Sequence, residues 1–166
     1  MTSPARGAGR QGVQRDMGQK TLRVIVHIDG GARGNPGPAG AGVVVLDAGD
    51  GMALFEGGIF LGRATNNVAE YKGLLAGLKA AGELHAAEVE VVSDSELLVR
   101  QMTGVYRVKN PGLQPLARRA RELSEGFRRC TFRHVRREEN TRADALVNQA
   151  IDQKRNVEDA VGLALH

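Results

Sequence analysis

The chain has 166 residues, of which 42% are hydrophobic and 25% are charged, and its formal net charge is +4. This length suits one domain, and no apolar run approaches the roughly 20 residues that cross a bilayer. With Cys130 as its one cysteine, the sequence excludes an intramolecular disulfide and offers no Cys pair for zinc.

The first twenty residues form a basic leader without an apolar stretch. Residues 1–20 contain four basic side chains against one acidic side chain, Asp16. Because a secretory signal needs an apolar core, this composition predicts a cytoplasmic protein. We expect residues 1–20 to be disordered, residues 21–155 to form the domain, and residues 156–166 to be a tail or the start of a linker.

Three strand patterns follow the leader. The side chains of residues 22–29 alternate between two faces, which is the period of a strand. The glycine-rich stretch 30–38 (GGARGNPGP) predicts a loop, and further strands are predicted over residues 40–46 and 52–61. These three strands are expected to pair as an antiparallel meander.

Helices and parallel strands are predicted next. Apolar residues at three- and four-residue spacing indicate a helix over residues 67–84, and a strand over residues 88–93 should then run parallel to the first. Further helices are predicted over residues 95–103, 113–125 and 141–154, with a fifth strand over residues 128–136. The predicted fold is a mixed α/β domain in which five strands are flanked by helices.

Four carboxylates fall at the ends of these elements. Asp29 and Asp94 end the first and fourth strands, while Glu70 and Asp144 lie in the first turns of two helices. Because parallel strands bring their carboxyl ends to one edge of a sheet, we expect Asp29 and Asp94 to be neighbours.

Each acid also has a structural explanation. Asn67 with Glu70 and Thr141 with Asp144 have capping-box spacing, and Asp94 is placed to cap the helix after it. However, four converging carboxylates without basic partners repel each other unless a divalent metal neutralises them. Oxygen ligands without His or Cys suit Mg²⁺ or Mn²⁺.

The acids lie in four segments with a fixed order: VIVHIDGGARGNPGPAGAGVVV (24–45), ATNNVAEYKGLLAGL (64–78), VEVVSDSELLVRQMTG (89–104) and HVRREENTRADALVNQA (134–150). Together these segments resemble type I ribonuclease H over residues 22–151. That family folds as a five-stranded mixed sheet flanked by helices. The resemblance implies an endonuclease that hydrolyses the RNA strand of RNA/DNA hybrids with two divalent metal ions, leaving 5′-phosphate and 3′-hydroxyl ends.

The resemblance also assigns roles to the acids. Asp29 would bridge both metal ions, Glu70 and Asp94 would complete one metal site, and Asp144 would hold the other ion. Two cations about 4 Å apart can activate a water and stabilise the departing oxygen, so the protein need not supply a nucleophile.

Further positions match substrate contacts of the family. Asn35, Asn66 and Asn67 match residues that contact 2′-hydroxyls and base edges in the minor groove, and Thr65 matches a DNA-phosphate contact. The glycines from Gly30 onward let the backbone approach a sugar edge. Turn formation and helix capping are the structural alternatives for these residues.

A basic stripe between residues 117 and 137 is the predicted polyanion surface. It contains eight arginines against two glutamates, a net charge of +6. Residues 105–123 leave no room for the extra basic helix with which some family members bind hybrids. Hybrid binding is therefore expected to depend on Lys109, Arg118, Arg119 and Arg121 or on the leader, and its affinity should be sensitive to salt. A solvated helix face is the alternative.

The connection before the last acid is too short for a His-bearing loop. Arg137 therefore takes the place nearest the metals, sharing a strand face with Arg133 and Val135, and is predicted to stabilise charge on the scissile or leaving phosphate. The alternative is a surface ion pair with Glu138 or Glu139.

Two other classes of function stay open: a hybrid- or duplex-binding module without catalysis, and a domain of a larger chain, fused after His166 or serving a reverse transcriptase. The four acids disfavour the first. We expect a monomer, without membrane contact, whose partner is an RNA/DNA hybrid, with double-stranded RNA left open as a second substrate. His27 and His134 are interpreted as structural strand residues.

Overall fold

A six-stranded mixed sheet forms the centre of the protein, which a computed structural model describes from residue 21 to residue 158. The strands are β1 (Arg23–Ala32), β2 (Gly37–Asp47), β3 (Ala53–Ala64), β4 (Glu88–Ser93), β5 (Arg129–His134) and β6 (Val157–Glu158). The helices are α1 (Asn66–Glu83), α2 (Glu96–Met102), α3 (Gln114–Glu125) and α4 (Thr141–Gln153), with a 3-10 turn at Arg137–Glu139. The predicted disordered leader, residues 1–20, lies outside the described residues.

The strand order across the sheet is β5-β4-β1-β2-β3-β6. β1, β2 and β3 form the predicted antiparallel meander, whereas β4 pairs with β1 and β5 pairs with β4 in parallel. The mixed α/β fold predicted from the sequence is therefore confirmed. β1 lies in the interior of the sheet, and its end is paired on one side with the start of β2.

Helices cover both faces of the sheet. On one face Val26 and Ile28 of β1 pack with Leu74 and Leu78 of α1 in the main hydrophobic core. On the other face α4 lies against β2 and β3. The alternation of β1 thus directs its apolar residues toward α1 and places Asp29 on the face that carries α4.

The prediction of a loop over residues 30–38 is wrong in its extent. β1 continues to Ala32 and β2 begins at Gly37, with Gly31 paired to Gly40 and Ala32 to Ala39. Glycines weaken the strand signal of the sequence. The main-chain pairing of β1 with β2 nevertheless continues through them, because tertiary contacts hold both strands in place. The turn itself is confined to residues 33–36.

A short sixth strand joins the edge of the predicted five-stranded sheet. Val157 and Glu158 form β6, which pairs with Gly58 and Gly57 at the edge of β3. Lys154, at φ 55°, ends α4 in a left-handed conformation and turns the chain back toward the sheet. Two residues are too few to leave an alternating pattern in the sequence.

The remaining limits are close to those predicted. β4 has the predicted bounds, and β5 ends at His134 rather than at residue 136. Within residues 21–158, no helix has the length and apolar character needed to span a bilayer.

Candidate active site

The contact between β1 and α1 brings Asp29 close to Glu70. A Cβ on Gly30 would lie 2.3 Å from the main-chain carbonyl of Ala69 and 2.4 Å from the Glu70 nitrogen. Real Cβ atoms do not approach other atoms so closely, so only glycine permits this approach of strand and helix. Gly30 was predicted to contact substrate; it lines the candidate cleft, but its missing side chain is already required by this packing.

Asp94 follows β4 and points into the same region. Ser95, not Asp94, caps α2, because its side chain accepts a hydrogen bond from the Leu98 amide at 3.2 Å. The prediction that Asp94 can serve as that cap is therefore wrong. Ser95 also lowers the pKa of the Glu70 carboxylate, so one serine acts both on the turn after β4 and on α1.

Asp144 is carried to the site by α4. A Cβ on Gly42 of β2 would lie 2.2 Å from the main-chain oxygen of Ala143, so the absence of a side chain lets α4 lie directly on the sheet. Gly42 is also the register partner of Asp29. The two acids are thus held together by two main-chain contacts, strand to strand and strand to helix.

Neither predicted capping box forms. The cap of α1 is Thr65, whose Oγ1 accepts from the Val68 amide at 3.2 Å, and the cap of α4 is Asn140, which makes no side-chain capping bond. The helices begin one or two residues earlier than the boxes require. This removes the structural explanations for Glu70 and Asp144.

All four acids line one cleft of about 310 Å³ at the end of β1. Arg137 and Asn66 line it as well, and the wall formed by α4 includes Asn148 and Ile151. The structure therefore brings together the four carboxylates and the arginine that the sequence singled out, from five different parts of the chain.

The carboxylates in this cleft lack enough positive charge to balance them. Burial, reinforced by the Asp94 and Asp144 carboxylates, raises the pKa of Asp29 from 3.8 to about 8. Burial likewise raises the pKa of Glu70 to about 7, although its bond from Ser95 opposes the shift. The pKa of Asp94 is also raised by burial, against the opposing effect of Arg137.

This donor set fits divalent cations. Buried carboxylates that repel each other gain most from a hard cation that binds oxygen and supplies the missing charge. Asp144 is one of the neighbours that raise the pKa of Asp29, an effect that a bound cation would offset. In residues 21–158 no three His, Cys, Asp or Glu side chains are gathered tightly enough to be a ready metal centre.

Arg137 reaches the cleft by a different route from the one predicted. Because β5 ends at His134, Arg137 does not continue the strand alternation; it begins the 3-10 turn before α4. Glu139 accepts a hydrogen bond from the Arg136 amide at 3.2 Å rather than from Arg137. The positive charge of the Arg137 guanidinium partly offsets the rise that burial causes in the pKa of Asp94.

The asparagines predicted to contact substrate form a network at the rim of the cleft. Asn35 Oδ1 accepts from the Asn66 amide at 3.0 Å, and Asn66 Oδ1 accepts from the Ala32 amide at 2.8 Å. Both side chains use their oxygen for the protein, which turns their NH₂ groups outward. Asn67 is exposed in the first turn of α1.

The basic stripe is not one surface. Arg118 and Arg119 are exposed on α3, which packs on the core face of the sheet, with Arg119 paired to Glu122 at 3.3 Å. Arg133 lies on β5 and pairs with Glu90 at 3.2 Å. Residues adjacent in sequence are separated because α3 and β5 present their arginines in different directions.

Sequence reasoning missed several polar residues that build the site. Arg33 spans the turn after β1 and binds Asp152 at 2.6 Å and Asn148 at 3.3 Å. Asn148, Asp152 and Asp144 recur at four-residue spacing on α4, which was the available signal. Asn140 left no signal, because its side-chain partners His27 and Ile28 are more than a hundred residues away.

Comparison with known proteins identifies the family. A family model described as "Reverse transcriptase-like" matches residues 27–150. Ribonuclease HI of Halobacterium salinarum is 46% identical over 140 residues, which cover 84% of this chain and 68% of that protein. The chain belongs to the type I ribonuclease H family.

Solved structures of this family share the fold. RNase H1 of Halobacterium salinarum has a TM-score of 0.76 at 46% identity, covering 79% of this chain and 98% of that chain. The N-terminal RNase H domain of Rv2228c from Mycobacterium tuberculosis has a TM-score of 0.78 at 49% identity, covering 80% and 96%. LC11-RNase H1, solved in complex with an RNA/DNA hybrid, has a TM-score of 0.75 at 46% identity, covering 79% and 98%.

Some relatives are much longer than this ribonuclease H chain. The Mycobacterium tuberculosis protein named "Bifunctional protein Rv2228c" is 50% identical over 131 residues, and the match spans 79% of this chain but only 36% of that protein.

Proposed function

We propose that this chain is an endonuclease that hydrolyses the RNA strand of RNA/DNA hybrids and leaves 5′-phosphate and 3′-hydroxyl ends. The observation that carries the proposal is the convergence of Asp29, Glu70, Asp94 and Asp144 in one cleft with raised carboxylate pKa values. The hybrid complex of LC11-RNase H1, at 46% identity, supports the choice of substrate.

The four acids would hold two Mg²⁺ or Mn²⁺ ions, with Asp29 shared between them. When bound, such ions lower the pKa of a water and stabilise negative charge on the attacked phosphate and the departing oxygen. The protein's own task is to hold the carboxylates in place, which the main-chain contacts at Gly30 and Gly42 accomplish. No side-chain nucleophile is needed.

Substrate selection would fall to the rim of the cleft. The NH₂ groups of Asn35 and Asn66 are turned outward by their internal bonds, so they can donate to 2′-hydroxyls and to base acceptors in a minor groove. Exposed Asn67 would extend this row, and Thr65 and the backbone at Gly30 would contact the strands nearby. A DNA strand offers no 2′-hydroxyl, which would direct the cleft to RNA.

Arg137 would act as an electrostatic group beside the scissile phosphate. It lines the cleft, and its positive charge lowers the pKa of Asp94. A guanidinium stays protonated at working pH, so it can stabilise developing charge or the leaving phosphate but cannot accept a proton. Arg118 and Arg119 on α3 would hold the hybrid backbone farther away.

The test is a comparison of four labelled substrates: an RNA/DNA hybrid, an RNA duplex, a DNA duplex and single-stranded RNA. Each is incubated with Mg²⁺, with Mn²⁺ and with EDTA. We expect cleavage of the hybrid's RNA strand with metal only, and products that shift on phosphatase treatment and extend from a 3′-hydroxyl. Cleavage of the RNA duplex would add a second substrate.

Two controls make this experiment decisive. Asp94→Asn should lose the activity, whereas Glu125→Gln, which neutralises an exposed acid at the end of α3, should retain it. Hybrid binding without cleavage by the unaltered protein in either metal would overturn the proposal in favour of a binding module. We further propose a cytoplasmic monomer, which size-exclusion chromatography and cell fractionation can check.

A further inference from the structure

A buried carboxamide connects the elements that carry three of the four acids. Asn140 immediately precedes α4 and is 2% exposed. Its Nδ2 donates to the carbonyl oxygen of Ile28, the residue before Asp29, at 2.8 Å. The same side chain lowers the pKa of Asp94, and its main-chain oxygen accepts from the Asp144 amide at 3.1 Å. The placement of Asn140 therefore affects how these acids lie relative to each other.

The chemistry of its partners determines the orientation of this carboxamide. The Ile28 carbonyl only accepts hydrogen bonds, so Asn140 must turn its Nδ2, and not its Oδ1, toward β1. Asn140 Oδ1 then faces His27, whose Nδ1 lies 3.1 Å away. Because a carbonyl oxygen only accepts, His27 Nδ1 must carry the hydrogen.

We propose that His27 is a positioning residue for the reaction, acting through Asn140, an inference that rests on the function proposed above. The N–H of His27 Nδ1 holds Asn140 in the orientation that directs its amide nitrogen at the Ile28 carbonyl of β1. His27 thereby fixes how the start of α4, which carries Asp144, lies against the end of β1, which carries Asp29, although His27 does not touch substrate or metal itself.

Packing alone does not require an imidazole at this position. The cavity beside His27 is lined by Val44, Leu46 and residues 138–143, and a phenyl ring is close enough in size to occupy the same space. Only the ring N–H satisfies Asn140 Oδ1. Without it a buried acceptor is left unpaired, and a rotated amide would turn that oxygen against the Ile28 carbonyl.

The chain allows a matched set of variants. His27→Phe keeps an aromatic ring and removes the donor, whereas His27→Asn is smaller but places an amide N–H close to where Nδ1 lies. His85→Asn, at an exposed histidine with φ 58°, controls for the loss of a histidine. Asparagine tolerates this left-handed conformation better than most residues.

Kinetics on the hybrid provide the first measurement. We expect His27→Phe to lower kcat by about tenfold or more while KM changes by less than about twofold, because the acids shift but the substrate rim does not. His27→Asn should recover most of kcat, and His85→Asn should behave as the unaltered protein. Wild-type kcat in His27→Phe, or an equal loss in His27→Asn, would overturn the proposal.

Nitrogen NMR of the metal-free protein provides a second measurement that needs no activity. The proposal expects His27 to be the Nδ1–H tautomer and the Asn140 NH₂ protons to exchange slowly, with faster exchange in His27→Phe and slow exchange restored in His27→Asn. An Nε2–H tautomer in the unaltered protein refutes the proposal even if a variant fails to fold. If the protein does not cleave hybrids but these signals are as expected, the proposed function fails and the positioning contact stands.

Discussion

Asp29→Asn should stabilise the metal-free protein at alkaline pH. The folded state raises the pKa of Asp29 from 3.8 to about 8, so between these values the folded protein holds a proton that the unfolded chain has released. The free energy of unfolding therefore falls as pH rises through this window. Asparagine resembles the protonated acid in shape and lacks the charge, so the variant should escape this loss.

The size of the effect follows from the shift. At about 1.4 kcal/mol per pKa unit, the full change from 3.8 to about 8 sets an upper limit of roughly 6 kcal/mol. Asp94 and Asp144 share the repulsion, and the acids can relax apart once the protein is free of metal. We therefore expect about 2 to 3 kcal/mol of stabilisation at pH 8.5 and nearly none at pH 4.

Urea unfolding in EDTA at a series of pH values measures this difference directly. Glu125→Gln is the control, because it neutralises an exposed acid far from the cleft and should follow the unaltered protein at every pH. Added Mg²⁺ should reverse the ranking, since it stabilises the folded protein that retains Asp29 and has less effect on the variant. Equal stability of Asp29→Asn and the unaltered protein at pH 8.5 would refute the account of uncompensated charge.

Three further predictions concern activity and binding. Asp94→Asn should reduce hybrid cleavage by at least about a hundredfold at every Mg²⁺ concentration tested; retained turnover would remove Asp94 from the metal site. Replacing Arg118, Arg119 and Arg121 by Ala should weaken hybrid binding and flatten the slope of log affinity against log salt by up to about 0.9 per lost phosphate contact, whereas an unchanged slope would make them a solvated helix face. Arg137→Ala should lower kcat by roughly ten- to a thousandfold with little change in metal affinity, and Arg137→Lys should recover part of it; wild-type kcat in Arg137→Ala would make it a surface residue.

The sequence was sufficient to predict the fold and the convergence of the four acids in one cleft. Alternation located β1 and β4, so Asp29 and Asp94 could be placed at neighbouring strand ends before any coordinates were known. The capping predictions failed at Asn67 and Thr141 because a helix start is chosen by tertiary packing as well as by local spacing. The Asn140 contacts could not be predicted at all, since they join residues more than a hundred positions apart.

The histidines illustrate the limit of local interpretation. His27 does lie within a strand, as expected from its position in the alternating pattern. The pattern could not show that His27 contacts the side-chain amide of Asn140, which has a fixed orientation. A polar residue on a strand face has many explanations until its partner is known, and that partner comes here from the far end of the chain.

The two glycine contacts have a consequence for how this protein tolerates change. At Gly30 and Gly42 the strands touch α1 and α4 through main-chain atoms, so the spacing of the acids does not depend on the size of any intervening side chain. Core residues such as Leu74 or Val26 can therefore be exchanged for others of similar volume, at some expense of stability, without displacing the carboxylates. Across a library of such core variants the melting temperature should fall while kcat changes little, whereas substitutions at Gly30 or Gly42 should lower both together.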